Sequence, residues 1–245
     1  MSERARYSLF ATAAAGLAAL LGWGIAGLPA FGDFHGRFGL LLDRVAVGQR
    51  HATNVVAAVV FDYRGFDTLG EEFILFASVL GVALLLREAR DEDIGRPLDP
   101  TPSEPLRALG PAAIGITALA GLYVVAHGYL TPGGGFQGGV LLAASATLLY
   151  VAGTYRGFRS AAPTPILDLA EGGSAGAYAL VGVATLAAGS SFLANELPLG
   201  KAGTLASAGT LPILNAAVAL AVAAAFVLLF TEFLEEFVAE REDVP

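Results

Sequence analysis

Charge in this chain is confined to a few short stretches, and that confinement limits its fold more than any other feature. Residues 7–32, 73–86, 108–155, 172–195 and 202–231 contain no Asp, Glu, Lys or Arg, and together they make up 142 of the 245 residues. Charged residues amount to 15% of the whole, where an average soluble domain carries about a quarter. A water-soluble fold is excluded for most of the chain.

A helix needs about 20 apolar residues to cross the hydrocarbon core. Measured against that length, the uncharged runs give six candidate crossings, at 8–29, 69–87, 111–130, 136–155, 174–194 and 211–231. Run 108–155 is too long for one helix, and Thr131-Pro132-Gly133-Gly134-Gly135 in its middle breaks it into a helical hairpin. Ala, Leu, Val and Gly dominate these runs, and no ten-residue in/out alternation suggests a membrane barrel. The expected fold is therefore an all-α integral membrane protein with about six transmembrane helices. Arg4 and Arg6 before the first run resemble the start of a signal peptide, but the run is longer than a signal core, so a retained helix is expected.

The segment 90–106 (RDEDIGRPLDPTPSEPL) is charged and carries four prolines, which makes it a solvated connector. It divides the chain into a two-helix module, 1–89, and a four-helix module, 107–238, followed by an acidic tail, 239–245. This is a 2+4 arrangement. With six crossings and the N-terminus inside, nine arginines fall on the cytoplasmic side, against four arginines and Lys201 outside. Both termini are thus expected in the cytoplasm, and linker 90–106 with them. Within 31–68, Thr53 to Phe61 is itself apolar and is expected as an interfacial or re-entrant helix; if it crossed, every later orientation would invert.

Cysteine is absent, which removes disulfides, thiolate metal sites and iron–sulfur ligation. His35, His51 and His127 stand far apart with no metal-ligand spacing, so neither a metal site nor a cofactor is expected. A formal net charge of −8 argues against nucleic acid. No nucleophile, base and orienter constellation supports an enzyme acting on a soluble substrate.

Three segments could carry function. In TPGGGFQGG, 131–139, the letters GxGxxG occur without a strand before them or a phosphate-binding Lys after them, so a dinucleotide site is rejected. Pro132 ends one helix, Gly133 and Gly134 permit positive φ, and Gly135 with Gly139, or Gly134 with Gly138, gives the next helix a small-residue face. A plain hairpin turn and an unwound backbone at a hydrated or partner-lined site, with Phe136 as a packing knob, both fit. In DYRGFDTLGEE, 62–72, Asp67 or Thr68 could cap a helix with Glu71 completing a capping box. Equally, Glu71 beside Arg64 is the ordinary material of an ion or proton path. Last come polar groups in or beside the later helices: His127 in the third, Glu171 at the entrance of the fifth and Asn215 in the sixth. Glu232, Glu235, Glu236 and Glu240 keep a spacing expected of one solvated helix face.

These stretches carry a resemblance. TPGGGFQGG, then Glu171-Gly172, then SAGTLPILN at 207–215, resemble the B subunit of the multisubunit Mrp/Mnh Na+/H+ antiporters over residues 107–238. Asn54-Val55-Val56 followed by DYRGFDTLGE at 62–71 resembles the C-terminal end of the A subunit of the same antiporters, which is a separate small subunit in membrane-bound hydrogenases. The chain looks like a fusion of those two neighbours. The resemblance implies a non-catalytic membrane subunit of a cation/proton antiporter, related to the proton-pumping arm of complex I. It implies partners in A-, C- and D-like and small subunits, Na+ and H+ as transported ions, and a place in the cell membrane. By matching position it places Glu71 first in an ion or proton path, with Arg64 and Asp67 in the same motif. It sets Pro132, Gly133, Gly134, Gly135 and Phe136 in the B-subunit signature and Glu171 and Asn215 at polar positions of later helices. A membrane-arm subunit of a hydrogenase or related respiratory complex is the alternative it leaves open.

Overall fold

The computed structural model describes residues 3–28, 36–89 and 97–242. Among them the backbone is almost entirely helical, with one isolated antiparallel bridge between Gly200 and Ser207. The chain divides into two compact units between Leu41 and Leu42. In the first, helix α1 (Glu3–Ala26) leaves every side chain described in it exposed, and its segment Tyr7–Ala26 is long and apolar enough to cross a membrane.

The second unit builds the helical core. It contains most of α2 (Arg37–Arg50), then α3 (Val55–Ala58), which runs straight into a π-helical turn, Val59–Tyr63. Asn54 caps α3 by accepting from the amides of Val56 at 3.1 Å and Ala57 at 3.4 Å. The expected short helix near 53–61 is therefore present. Its nine residues extend only about 14 Å at 1.5 Å each, too short to cross.

Helix α4 (Gly65–Ala89) follows at once. The cap predicted at Asp67 or Thr68 is not formed, because the helix has already started at Gly65. Thr68 instead donates to the Val60 carbonyl at 2.7 Å, an oxygen in the π-helical turn. Most of the linker, 90–96, lies outside the described residues, and its last three residues are already helical. Helix α5 (Glu104–Ala126) begins there with Pro105 in its first turn, where a missing N–H costs nothing.

Helix α6 (Gly135–Val151), the short α7 (Tyr155–Ala161) and α8 (Thr164–Ala187) come next, and α9 (Leu211–Glu242) closes the chain. Neighbours in the core are α5 with α6, α6 with α9, α8 with α9 and α4 with α9. The fifth crossing was expected at 174–194, yet α8 starts ten residues earlier, with Pro165 in its first turn, and has ended by Ala187. Residues 188–210 form a looped cap with positive φ at Gly189, Gly200, Gly203 and Gly209.

Among the described residues four helices are long and apolar enough to span a bilayer: α1, α4, α5 and α9. Helix α6 has 17 residues and is apolar, while glycines, Ser174 and Glu171 make α8 more polar. The architecture is that of a multi-pass, all-helical membrane protein, with four clear spans rather than a demonstrated six.

Candidate functional site

Glu71 and Glu72 are adjacent in sequence but differ by about 100° around α4. Glu71 is exposed and borders a small cavity of about 110 Å³, whose wall also includes Val60, Thr68 and residues Gly133 to Gln137. Glu72 turns inward and is 1% exposed. Sequence position thus joins the two carboxylates, and helix geometry separates them. The capping role for Glu71 does not hold, since it lies nearly two turns inside the helix.

The other wall of the cavity is the glycine turn. Gly133 and Gly134 take φ values of 147° and 153°, which side chains rarely adopt. Gly135 and Gly139 let α6 lie directly on α9: a Cβ at Gly135 would stand 2.5 Å from the Asn215 carbonyl oxygen, and one at Gly139 would stand 2.8 Å from that of Ala219. Gly138 faces α5 instead, against Val125 and the Gly121 carbonyl. Both small-residue pairings considered from spacing therefore include a real contact, but only Gly135 and Gly139 share one partner helix. Phe136 is half-buried against the main core, and Pro132 is exposed.

Asn215 lies beneath this turn, 1% exposed. Its Nδ2 donates to the Val125 carbonyl at 2.6 Å, and its Oδ1 finds no donor among the described residues. Asn54 reaches the same hairpin from α3's N-terminus, donating through Nδ2 to Gly128 at 2.7 Å and Thr131 at 3.0 Å. The amide of Asn54 also donates to Tyr129 at 3.1 Å. Backbone acceptors exposed by the broken helix are thereby satisfied by a side chain from the earlier motif.

The remaining expected residues are not gathered here. Arg64 and Asp67 pair with each other, both largely exposed. His127 is the C-cap of α5 rather than an interior residue; its ring stacks on Tyr123 at 4.1 Å and its Nδ1 meets the Tyr123 carbonyl at 3.0 Å. Glu171 sits two turns inside α8, not at its entrance, and is 5% exposed with Oε1 unpartnered. The C-terminal glutamates do not form one solvated face. Glu232 is buried and pairs with Arg87 at 2.7 Å, and Glu235 accepts from Tyr155 at 2.8 Å. The side chain of Glu240 lies outside the described residues.

Two further polar groups escaped the sequence reading. Arg87 joins Asp168 at 3.1 Å and Glu232 at 2.7 Å, tying the ends of α4, α8 and α9 together. Arg50 pairs with Asp62 at 2.8 Å, and Asn195 donates to the other Asp62 oxygen at 2.9 Å while accepting from the Thr210 amide at 2.8 Å. The signal for Glu72 was available in its register. It lies seven and eleven residues before Val79 and Ala83, both buried, and so on the inward stripe. Among the described residues no three His, Cys, Asp or Glu gather as metal ligands.

The sequence of the α5 to α9 unit decides the family. Residues 105–228 match the domain related to the MnhB subunit of Na+/H+ antiporters. The chain belongs to this MnhB-related family. Residues 3–98 of the MnhB-related chain match a second family, the E subunit of MBH. An uncharacterised protein of Methanocaldococcus jannaschii is 31% identical, over 78% of this chain and 82% of its own. A probable K(+)/H(+) antiporter A/B subunit of Rhizobium meliloti is 34% identical over 42% of the chain, which spans 13% of that longer protein.

Among solved structures, a chain of the membrane-bound sulfane sulfur reductase, an archaeal respiratory membrane complex, superposes with a TM-score of 0.71 at 30% identity. The match covers 94% of the MnhB-related chain and 98% of that one. A chain of the Mrp complex of Dietzia sp. superposes with a TM-score of 0.72 at 24% identity, over all of this chain and 27% of its own, and so shares the fold.

Proposed function

We propose that this MnhB-related chain is a membrane subunit of a multisubunit monovalent-cation/proton antiporter, and that Glu71 belongs to its ion path. The observation that carries this reading is the cavity itself. Glu71, from the segment matched to the MBH family, and Gly133 to Phe136, from the MnhB-related segment, form its two walls. Homology to antiporter subunits supports the role in transport rather than in catalysis.

In this reading Glu71 exchanges a proton or Na+ with water in the cavity, and the unwound backbone at Gly133 and Gly134 offers carbonyl oxygens in the same space. Arg64 and Asp67 hold each other near the start of α4. The chain is the 2+4 fusion of modules 1–89 and 107–238, set in the cell membrane with both termini and the 90–106 linker in the cytoplasm. The glycine turn and the 188–210 cap then face outward. Its neighbours are A-, C- and D-like and small membrane subunits.

A second reading has a specific observation in its favour. The sulfane sulfur reductase chain matches from end to end, which fits a membrane-arm subunit of a respiratory complex. Purifying the native assembly and identifying its subunits separates the two: partners that are all antiporter-like support the first, and iron–sulfur or nickel subunits support the second. For the ion path, Glu71→Gln in the assembled complex should abolish most cation-dependent proton flux in everted vesicles. Unchanged flux with normal assembly removes Glu71 from the path.

A further inference from the structure

Glu72 has no part in the cavity beside Glu71, yet its carboxylate is the most isolated polar group on α4. It is 1% exposed, and neither of its oxygens finds a donor among the described residues. Glu171 on α8 is 5% exposed and leaves Oε1 equally unpartnered. Oxygens in that position must be met by a proton, a water or a cation, because burying an unpartnered carboxylate costs several kcal/mol.

Two cross-contacts set the register of the antiparallel helices α4 and α8. Tyr178 donates through its hydroxyl to the Gly65 carbonyl at 3.0 Å, and the Phe76 ring lies 3.6 Å from where a Cβ on Gly172 would stand. Glu72 precedes Phe76 by four residues, so it stands level with the turn of α8 that follows Gly172. Glu171 is then about one turn, roughly 6 Å along the axis, nearer the Arg87 end.

The groups facing these carboxylates complete a line. Thr68 and Tyr178 lie on the Gly65 side of Glu72, and Glu71 is its neighbour on α4. Asp168 and Arg87 lie next to Glu171, with Arg87 joined in turn to Glu232. Between Glu72 and that ion-paired end, Val79, Ala225 and Leu228 fill the α4 to α9 contact with apolar atoms. On the α8 side Leu167 packs against the same cluster, and the Phe76 ring lies over Gly172 between the two carboxylates.

We propose that Glu72 carries a proton and exchanges it with Glu171 along the α4–α8 seam, giving the chain a proton-transfer route distinct from the Glu71 cavity. A proton leaves a Glu72 oxygen and passes over water to an oxygen of Glu171; one O–H bond breaks and another forms. The proposal rests on the antiporter reading for its biological use.

Two measurements on the intact complex test it. Dicyclohexylcarbodiimide attacks protonated carboxyl groups in apolar surroundings, and peptide mass spectrometry should find it on Glu72 at neutral pH; absence of the adduct overturns the proposal. Glu72→Gln should slow cation-dependent proton flux by about ten-fold or more, with Glu72→Asp restoring most of it. Flux in Glu72→Gln equal to that of the unaltered complex also overturns it. If the glutamine variant does not assemble, Glu72→Asp and the adduct decide. If the unaltered complex shows no cation-dependent flux, the antiporter reading fails, and the adduct on Glu72 alone tells whether the proton site stands.

Discussion

The two ends of α4 treat charge in opposite ways. At its start, Glu71 borders a cavity, and among the described residues neither the Glu72 carboxylate nor the nearby Asn215 amide oxygen meets a hydrogen-bond donor. At its other end Arg87 is bonded to both Asp168 and Glu232, and the nearby Glu235 accepts from Tyr155. Partnered charges fix helix ends in place and gain little by changing protonation. Unpartnered ones are costly to hold and free to change state, which is what ion movement requires. The comparison assigns holding to the Arg87 end and function to the glycine end.

Several substitutions can break this contrast. Arg87→Gln should have the largest effect on stability, because it takes the guanidinium away from Asp168 and from Glu232, which is 2% exposed. Loss of a fully buried partner costs about 3–5 kcal/mol; with Arg87 itself 37% exposed, we expect about 2–3 kcal/mol after solvent screening. Thermal unfolding of the purified complex measures it, and adding Glu232→Gln should recover part of the loss.

Gly135→Ala comes next, at about 2 kcal/mol, since overpacking against backbone cannot be relieved by a rotamer change. Native gels of the variant should show less assembled complex, and unchanged assembly would mean that α6 and α9 can move apart. Asn195→Ala removes the donor to Asp62 and the acceptor for Thr210 and should cost about 1–2 kcal/mol, read from the melting temperature. Thr68→Val is the mildest, at about 1 kcal/mol, through the lost bond to Val60. If its proton flux fell far more than its stability, the Thr68 hydroxyl would belong to the ion path as well as to the fold.

Much of the architecture was legible because lipid leaves a coarse signature. The uncharged runs located α1, α4, α5, α6 and α9, although α5 begins seven residues before its expected start and α9 runs eleven beyond its expected end, and Pro132 with the following glycines marked the hairpin. Element ends were less legible. Pro105 was read as part of the solvated connector and the fifth crossing was expected only from residue 174, but Pro105 and Pro165 both stand in first helical turns, where proline is welcome. That displaced the starts of α5 and α8 and turned Glu171 from an interfacial residue into a buried one.

The site was half legible. Local motifs pointed to Glu71, Gly133 to Phe136 and Asn215, but no local pattern says that residues 71 and 133 share a cavity. Partnerships distant in sequence, such as Arg87 with Glu232, were hidden for the same reason. Glu72 was passed over because the family motif ends one residue before it.

The most direct test measures cation-dependent proton flux per assembled complex in everted vesicles, comparing Glu71→Gln with Arg87→Gln. Glu71→Gln should assemble normally with flux reduced by about ten-fold or more, and Arg87→Gln should assemble less while keeping near-normal flux per surviving complex. Normal flux in assembled Glu71→Gln, or flux lost in assembled Arg87→Gln alone, would contradict the assignment of function to the glycine end.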